Sequence, residues 1–124
     1  MQYRTICEPV FYLLSPRQSE GTVFVEFLPS ELQNGPARRL IERDLRRLVL
    51  HIGQSSVCFD LSHLANCDDQ FLTTLVDVSV AIEAAGGDVT INGVRLFLEP
   101  RLLSLLAQQG AVNIDVRTDE STEC

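Results

Sequence analysis

Lysine and tryptophan are absent from this 124-residue chain, and aromatic residues make up only 6% of it. All ten basic residues are therefore arginine, outnumbered by seventeen acids for a net charge of −7. A duplex-binding domain shows the opposite balance, because phosphate neutralisation supplies most of its affinity. The charge thus speaks against nucleic acid as a partner. No apolar run approaches the roughly 20 residues that span a bilayer, so direct membrane insertion is not expected. Met1 to Cys7 is not followed by the long apolar stretch of a secretory signal. The four cysteines (Cys7, Cys58, Cys67 and Cys124) form no CxxC pair and have no zinc-site spacing. With 45% hydrophobic residues the chain can build a core without disulfide staples, and scattered thiols fit a reducing compartment, the cytoplasm.

Chemical motifs are also missing. There is no GxGxxG after a strand and no GxxxxGK[ST], the patterns that free backbone N–H groups to cradle phosphate. Gly86-Gly87 follows a helical segment and reads as its stop. Of two histidines, His51 falls near the end of an arginine-rich helix, where a cation suits the dipole. The other, His63, lies among Ser62, Cys67, Asp68 and Asp69, a set that suggests a triad or a metal site. A triad needs a nucleophile within hydrogen-bond reach of an oriented base. Adjacent Ser62 and His63 on an extended loop point apart, and the spacing fits no familiar metal site. Loop structure is the better reading, with no catalytic residue, metal or cofactor.

What is present is an ordered series of elements. Val10 to Leu14 predicts a strand ended by Ser15-Pro16. Arg17 to Gly21 reads as a turn, and Thr22 to Leu28 as the second arm of a hairpin. Asn34 or Gly35 caps a helix with Pro36 in its first turn and Ile41, Leu45, Leu48, Val49 and Ile52 at helical spacing. Its five arginines (Arg38, Arg39, Arg43, Arg46 and Arg47), with Glu42 and Asp44, fall mainly on the other side. They read as a solvated face or a docking surface for an acidic partner. Ser56 to Leu61 is a short apolar strand of the kind buried in a parallel sheet. A second helix runs from about Asp68 to Ala85, stopped by Gly86-Gly87. Val89 and Ile91 form a further strand, Pro100 opens a third helix through Gln109, and Val112, Ile114 and Val116 alternate as a last strand. Strands separated by single helices imply parallel crossovers. The expected fold is a single α/β domain over residues 1–117. Its mixed sheet has a parallel core, an antiparallel first strand at one edge, and helices packed against it. A polar tail, 118–124, follows.

The most informative stretch is Val57 to Leu75. A strand ends in Asp60-Leu61-Ser62, a short loop follows, and Asp68-Asp69 opens a helix with spaced leucines. Gly86-Gly87, Glu99-Pro100, Leu102, Leu106 and Gly110 continue the pattern. In order and spacing this resembles the STAS domains, found in sulfate transporters and anti-sigma factor antagonists, over roughly Thr22 to Val116. The resemblance implies a STAS-like fold and a bacterial, cytoplasmic anti-anti-sigma factor that regulates transcription without catalysis. Its implied partner is an anti-sigma factor or related kinase-like protein, with homodimer formation also open. Many such antagonists carry a phosphorylated Ser after the second Asp; here that position is Asp69. The chain departs elsewhere too. Ser30-Glu31-Leu32-Gln33 stands where Gly-x-Leu-Asp is frequent, Gly87 to Pro100 is longer than usual, and the final helix is short or absent.

The start of the second helix can be read without the family. Its free N–H groups welcome negative charge, so Asp68 suits the N-cap and Asp69 the first turn, worth about 0.3–1 kcal/mol. Asp69 would bring about −1 where phosphoserine brings roughly −1.5 to −2. Leu72, Leu75, Val76, Ser79 and Ile82 suffice to pack this helix. Phe71, Val78 and Val80 widen its apolar arc, and Phe71 is the candidate for an exposed contact. The expected regulatory surface is Asp60, Ser62, His63, Asp68, Asp69, Gln70 and Phe71. The alternatives are a non-catalytic STAS subunit of a transporter or stress-signalling complex, and a small-ligand carrier or enzyme using a pocket near Asp60, His63 and Cys67.

Overall fold

The computed structural model describes residues 14–27, 31–32, 35–52, 55–64, 66–111 and 113–118. Among these residues five strands form one sheet: β1 (Leu14–Ser19), β2 (Thr22–Phe27), β4 (Ser56–Asp60), β6 (Val89–Val94) and β7 (Asp115–Thr118), in the order β1-β2-β4-β6-β7. Only β1 runs antiparallel, and it lies at an edge. Two short strands, β3 (Glu31–Leu32) and β5 (Asn66–Cys67), pair in parallel as a second, two-stranded sheet. Among the described residues the helices are α1 (Gly35–Ile52), α2 (Asp69–Ala84) and α3 (Glu99–Gln108). The expected α/β domain, mixed sheet and parallel core are all present.

The core lies between one face of the sheet and the helices. Along β4, Val57 and Phe59 point into it while Ser56, Cys58 and Asp60 face the other way, as the two-residue strand period requires. Val25, Phe27, Val89 and Ile91 continue that buried face, and Ile41, Leu45, Leu48, Leu72, Leu75, Ile82, Leu102 and Leu106 close it from the helices. Among the described residues no helix is long and apolar enough to cross a membrane.

Several boundaries differ from the sequence reading. β1 does not stop at Ser15-Pro16: it runs through Pro16 to Ser19, and Glu20-Gly21 alone makes the turn. The reason is hydrogen-bond alternation. Ser19↔Thr22 closes the two-residue turn as a bonded pair, so Pro16↔Val25 falls on a non-bonded pair, where a missing N–H costs nothing on an edge strand. Leu14↔Phe27 is likewise non-bonded, leaving the Leu14 N–H to donate outward to Asp44 Oδ2 at 3.2 Å. Asp44 is consequently buried, not on the arginine face: it stands three residues after Ile41 and four before Leu48, on the core side. Thr118 closes β7 rather than opening a tail, and Ile114 is buried just ahead of that strand. Residues 10–13, 112 and 119–124, to which strand and tail expectations were attached, lie outside the described residues.

α2 ends as expected. Gly86 has φ +101°, its N–H donates to the Glu83 carbonyl, and the Gly87 N–H donates to Ile82, both at 3.0 Å. This is a Schellman stop. A Cβ on Gly87 would collide with the Ser55 carbonyl oxygen, so the second glycine is needed for close approach to the residue that leads into β4.

Candidate functional site

The carboxyl end of β4 and the start of α2 meet where the sequence placed its candidates. Asp60 is the last residue of the central strand. Its Oδ1 accepts the Ser62 hydroxyl at 2.7 Å and the Ser62 N–H at 3.0 Å, which bends the chain out of the sheet. The Leu61 N–H donates to the Asn92 carbonyl on β6, and Leu64 N–H donates to Leu61, so Leu61 and Leu64 are driven into the core. His63 is exposed, and its Nε2 lies 3.1 Å from Glu26 Oε2 at the end of β2. Cys67 then pairs the loop to β3 and buries its side chain.

Asp68 is the N-cap of α2: its Oδ1 accepts the Phe71 N–H at 3.0 Å. Asp69 stands in the first turn, exposed, and is ion-paired with the Arg101 guanidinium from α3. Gln70 is exposed beside it. A shallow groove of about 360 Å³ runs from this pair along Thr73, Ser104 and Leu105.

Phe71 departs from expectation. It is 0% exposed and lies edge-on to Phe27, ring centroids 5.4 Å apart and 89° inclined. It cannot be a surface contact; it fixes the helix tip to the sheet. Val78 is buried and Val80 is partly so, which accounts for the wide apolar arc. The exposed apolar surface at this end comes instead from the tight turn after β6. There Leu96 is 49% and Phe97 58% exposed, while Leu98 is buried. Arg95 anchors that turn by donating to the carbonyls of Ser62 at 3.2 Å and Leu64 at 3.5 Å. Gly93 (φ +71°) lets the Ser62 loop cross: a Cβ there would sit 2.7 Å from Ser62 N and 3.0 Å from Asp60 Oδ1.

Sequence reasoning missed Arg101, Arg95, Gly93, Leu96 and Phe97. Three of these left a signal. Asn92-Gly93 interrupts a strand, which marks close backbone approach, and Leu96-Phe97 occupies the stretch already noted as long.

Among the described residues, Ser62 and His63 are not brought together as a nucleophile and its base. Ser62 turns to Asp60 while His63 turns to Glu26. Burial pushes the Cys67 thiol up to about 11, with Asp68 and Asp69 adding to the effect and Arg101 opposing it, so it is no thiolate at neutral pH. Burial, then Asp60, also raises Cys58, with Arg117 opposing. Among the described residues no group of three or more His, Cys, Asp or Glu side chains could hold a metal ion.

No family model matches the sequence, and no curated protein does. Solved structures do share the fold. A Thermotoga maritima protein assigned as an anti-sigma factor antagonist superposes with a TM-score of 0.63 at 17% identity, over 90% of this chain and 92% of that one. Murine solute carrier 26 family member A9, an anion transporter in an inward-facing state, superposes with a TM-score of 0.58 at 11% identity, over 79% of this chain and 16% of the transporter. The chain has the STAS-like α/β fold.

Proposed function

We propose that this chain is a protein-binding regulatory module of the anti-sigma factor antagonist kind, acting in the bacterial cytoplasm on an anti-sigma factor or related kinase-like protein. The observation that carries the reading is the exposed Asp69–Arg101 pair on the capped tip of α2, at the strand–loop–helix junction of this fold. Asp60, Ser62, His63, Asp68, Asp69 and Gln70 form the docking end, with Leu96 and Phe97 as its apolar part. Phe71 supports it from below.

In this reading Asp69 supplies a fixed charge where related antagonists carry a switchable one. Arg101 offsets part of that charge and holds it in place, so a partner meets an oriented ion pair rather than a lone carboxylate. The test is calorimetry against an anti-sigma factor recovered with the protein by co-purification. Asp69→Ser and Arg101→Ala should each change affinity at least about fivefold, and Phe97→Asp should weaken binding most, because interface cores are apolar and aromatic. Unchanged affinity in all three variants would sink the assignment of this end. The likeness to the transporter supports a second reading, a non-catalytic STAS unit within a larger assembly. Recovery of a membrane transporter instead of an anti-sigma factor on co-purification would favour it.

A further inference from the structure

A second feature lies away from that tip. We propose that the groove between α1 and α2 is a docking site for an acidic amphipathic helix of a partner protein, independent of the α2 tip. The groove measures about 390 Å³ and is lined by Val49, Val78 and Ala81, with Arg46 and Leu50 on the α1 side and Thr74 and Asp77 on the α2 side. Leu50 is 81% exposed, the most exposed large apolar residue among those described.

Arg39, Arg43, Arg46 and Leu50 recur at i, i+4, i+7 and i+11, which places them in one stripe along α1. Arg39 and Arg46 are exposed, and among the described residues neither has a hydrogen-bond or ion-pair partner. Five arginines against Glu42 and Asp44 give α1 a net +3, so the rest of the chain carries −10. Positive charge is thus concentrated on one helix, beside an apolar groove. That combination selects an occupant with an apolar stripe to fill the groove and carboxylates to meet the arginines.

The chemistry also sets its polarity. Asp77, on the opposite side, accepts a hydrogen bond from Gln109 Nε2 at 3.0 Å and keeps an acid there. The occupant therefore carries its carboxylates on the flank facing α1 and neutral or basic residues on the flank facing α2. A nucleic acid or an anionic bilayer fits less well. Either presents charge without an apolar ridge of helix width, and the −10 elsewhere repels an extended polyanion.

The test uses a fluorescein-labelled synthetic helix with leucines at i, i+3, i+7 and i+10 and glutamates along one flank. Its lysine-flanked counterpart, a short DNA duplex and phosphatidylglycerol vesicles are the other probes. Anisotropy should show the acidic helix binding at least about tenfold more tightly than the lysine helix, with affinity falling as salt is raised. Arg46→Glu and Leu50→Asp, both at exposed positions, should each weaken it about tenfold or more, while Asp69→Ser leaves it unchanged. The proposal is overturned by equal binding of both helices, by insensitivity to the two groove substitutions, or by tighter binding of DNA or vesicles. Failure here leaves the α2-tip reading intact, because Asp69→Ser separates the two surfaces.

Discussion

The tip of α2 and the outer face of α1 both present charge, but they are built differently. At the tip, the first-turn side chains have set partners. Asp68 caps the helix, Asp69 meets Arg101, and Phe71 locks the first turn onto Phe27. On α1 the stripe of Arg39, Arg46 and Leu50 stands opposite the buried Ile41, Leu45 and Leu48. The tip is a preorganised surface, whose ordering cost is met during folding. The α1 stripe keeps long, flexible side chains whose ordering falls to the moment of binding. On the proposed reading, a partner of the tip would gain specificity from geometry, and a partner of α1 would gain it from charge and be correspondingly sensitive to salt.

The sharpest way to break this contrast is through Phe71. Phe71→Ala should cost about 3–5 kcal/mol, as for other buried aromatic truncations, whereas Leu50→Ala should stay within about 0.5 kcal/mol. Urea unfolding of both variants measures the difference, and equal losses would mean that Phe71 does not anchor the tip. Cys67 probes the same support by pH. Its thiol is shifted upward from 9.0 to about 11, so the folded state holds its proton more tightly than the unfolded chain does. This contribution is fully present below about 9 and is lost as pH rises towards about 11. Stability should therefore fall across that window in wild type and fall less in Cys67→Ala, read from unfolding midpoints at several pH values. The smallest of the three effects belongs to the cap. Asp68→Ala should cost about 0.5–2 kcal/mol and Asp68→Asn much less, since Asn also accepts the Phe71 N–H. Equal losses for the two would show that charge at the helix tip matters more than the capping hydrogen bond.

The sequence located the tip but not its surface. Asp68 as cap, Asp60 at the end of a central strand and Gly86-Gly87 as a stop were all legible, because each depends on a few consecutive residues. Arg101 was not legible as the partner of Asp69, since thirty-two positions separate them and α2 and α3 must first pack side by side. Phe71 was misassigned because helical periodicity gives a face but not its surroundings. The tip of α2 lies over Phe27, so that face is covered. Leu96 and Phe97 carry no local signal of exposure: only the turn pinned by Arg95 turns them outward.

By itself, then, the sequence determined what local chemistry controls. This includes the strand–helix order through hydrophobic period, the helix ends through Asp, Pro and Gly, and the net negative charge. The tertiary structure decided what depends on distant segments meeting. It extended β1 through Pro16, because on an edge strand the missing N–H of that residue would face no neighbouring strand, and it buried Asp44 against the Leu14 N–H. It also joined β3 to β5, bringing the approach to α1 alongside the approach to α2. Periodicity fixes which way a side chain points along its own element; what it then meets is set by long-range packing, which no short window of sequence contains.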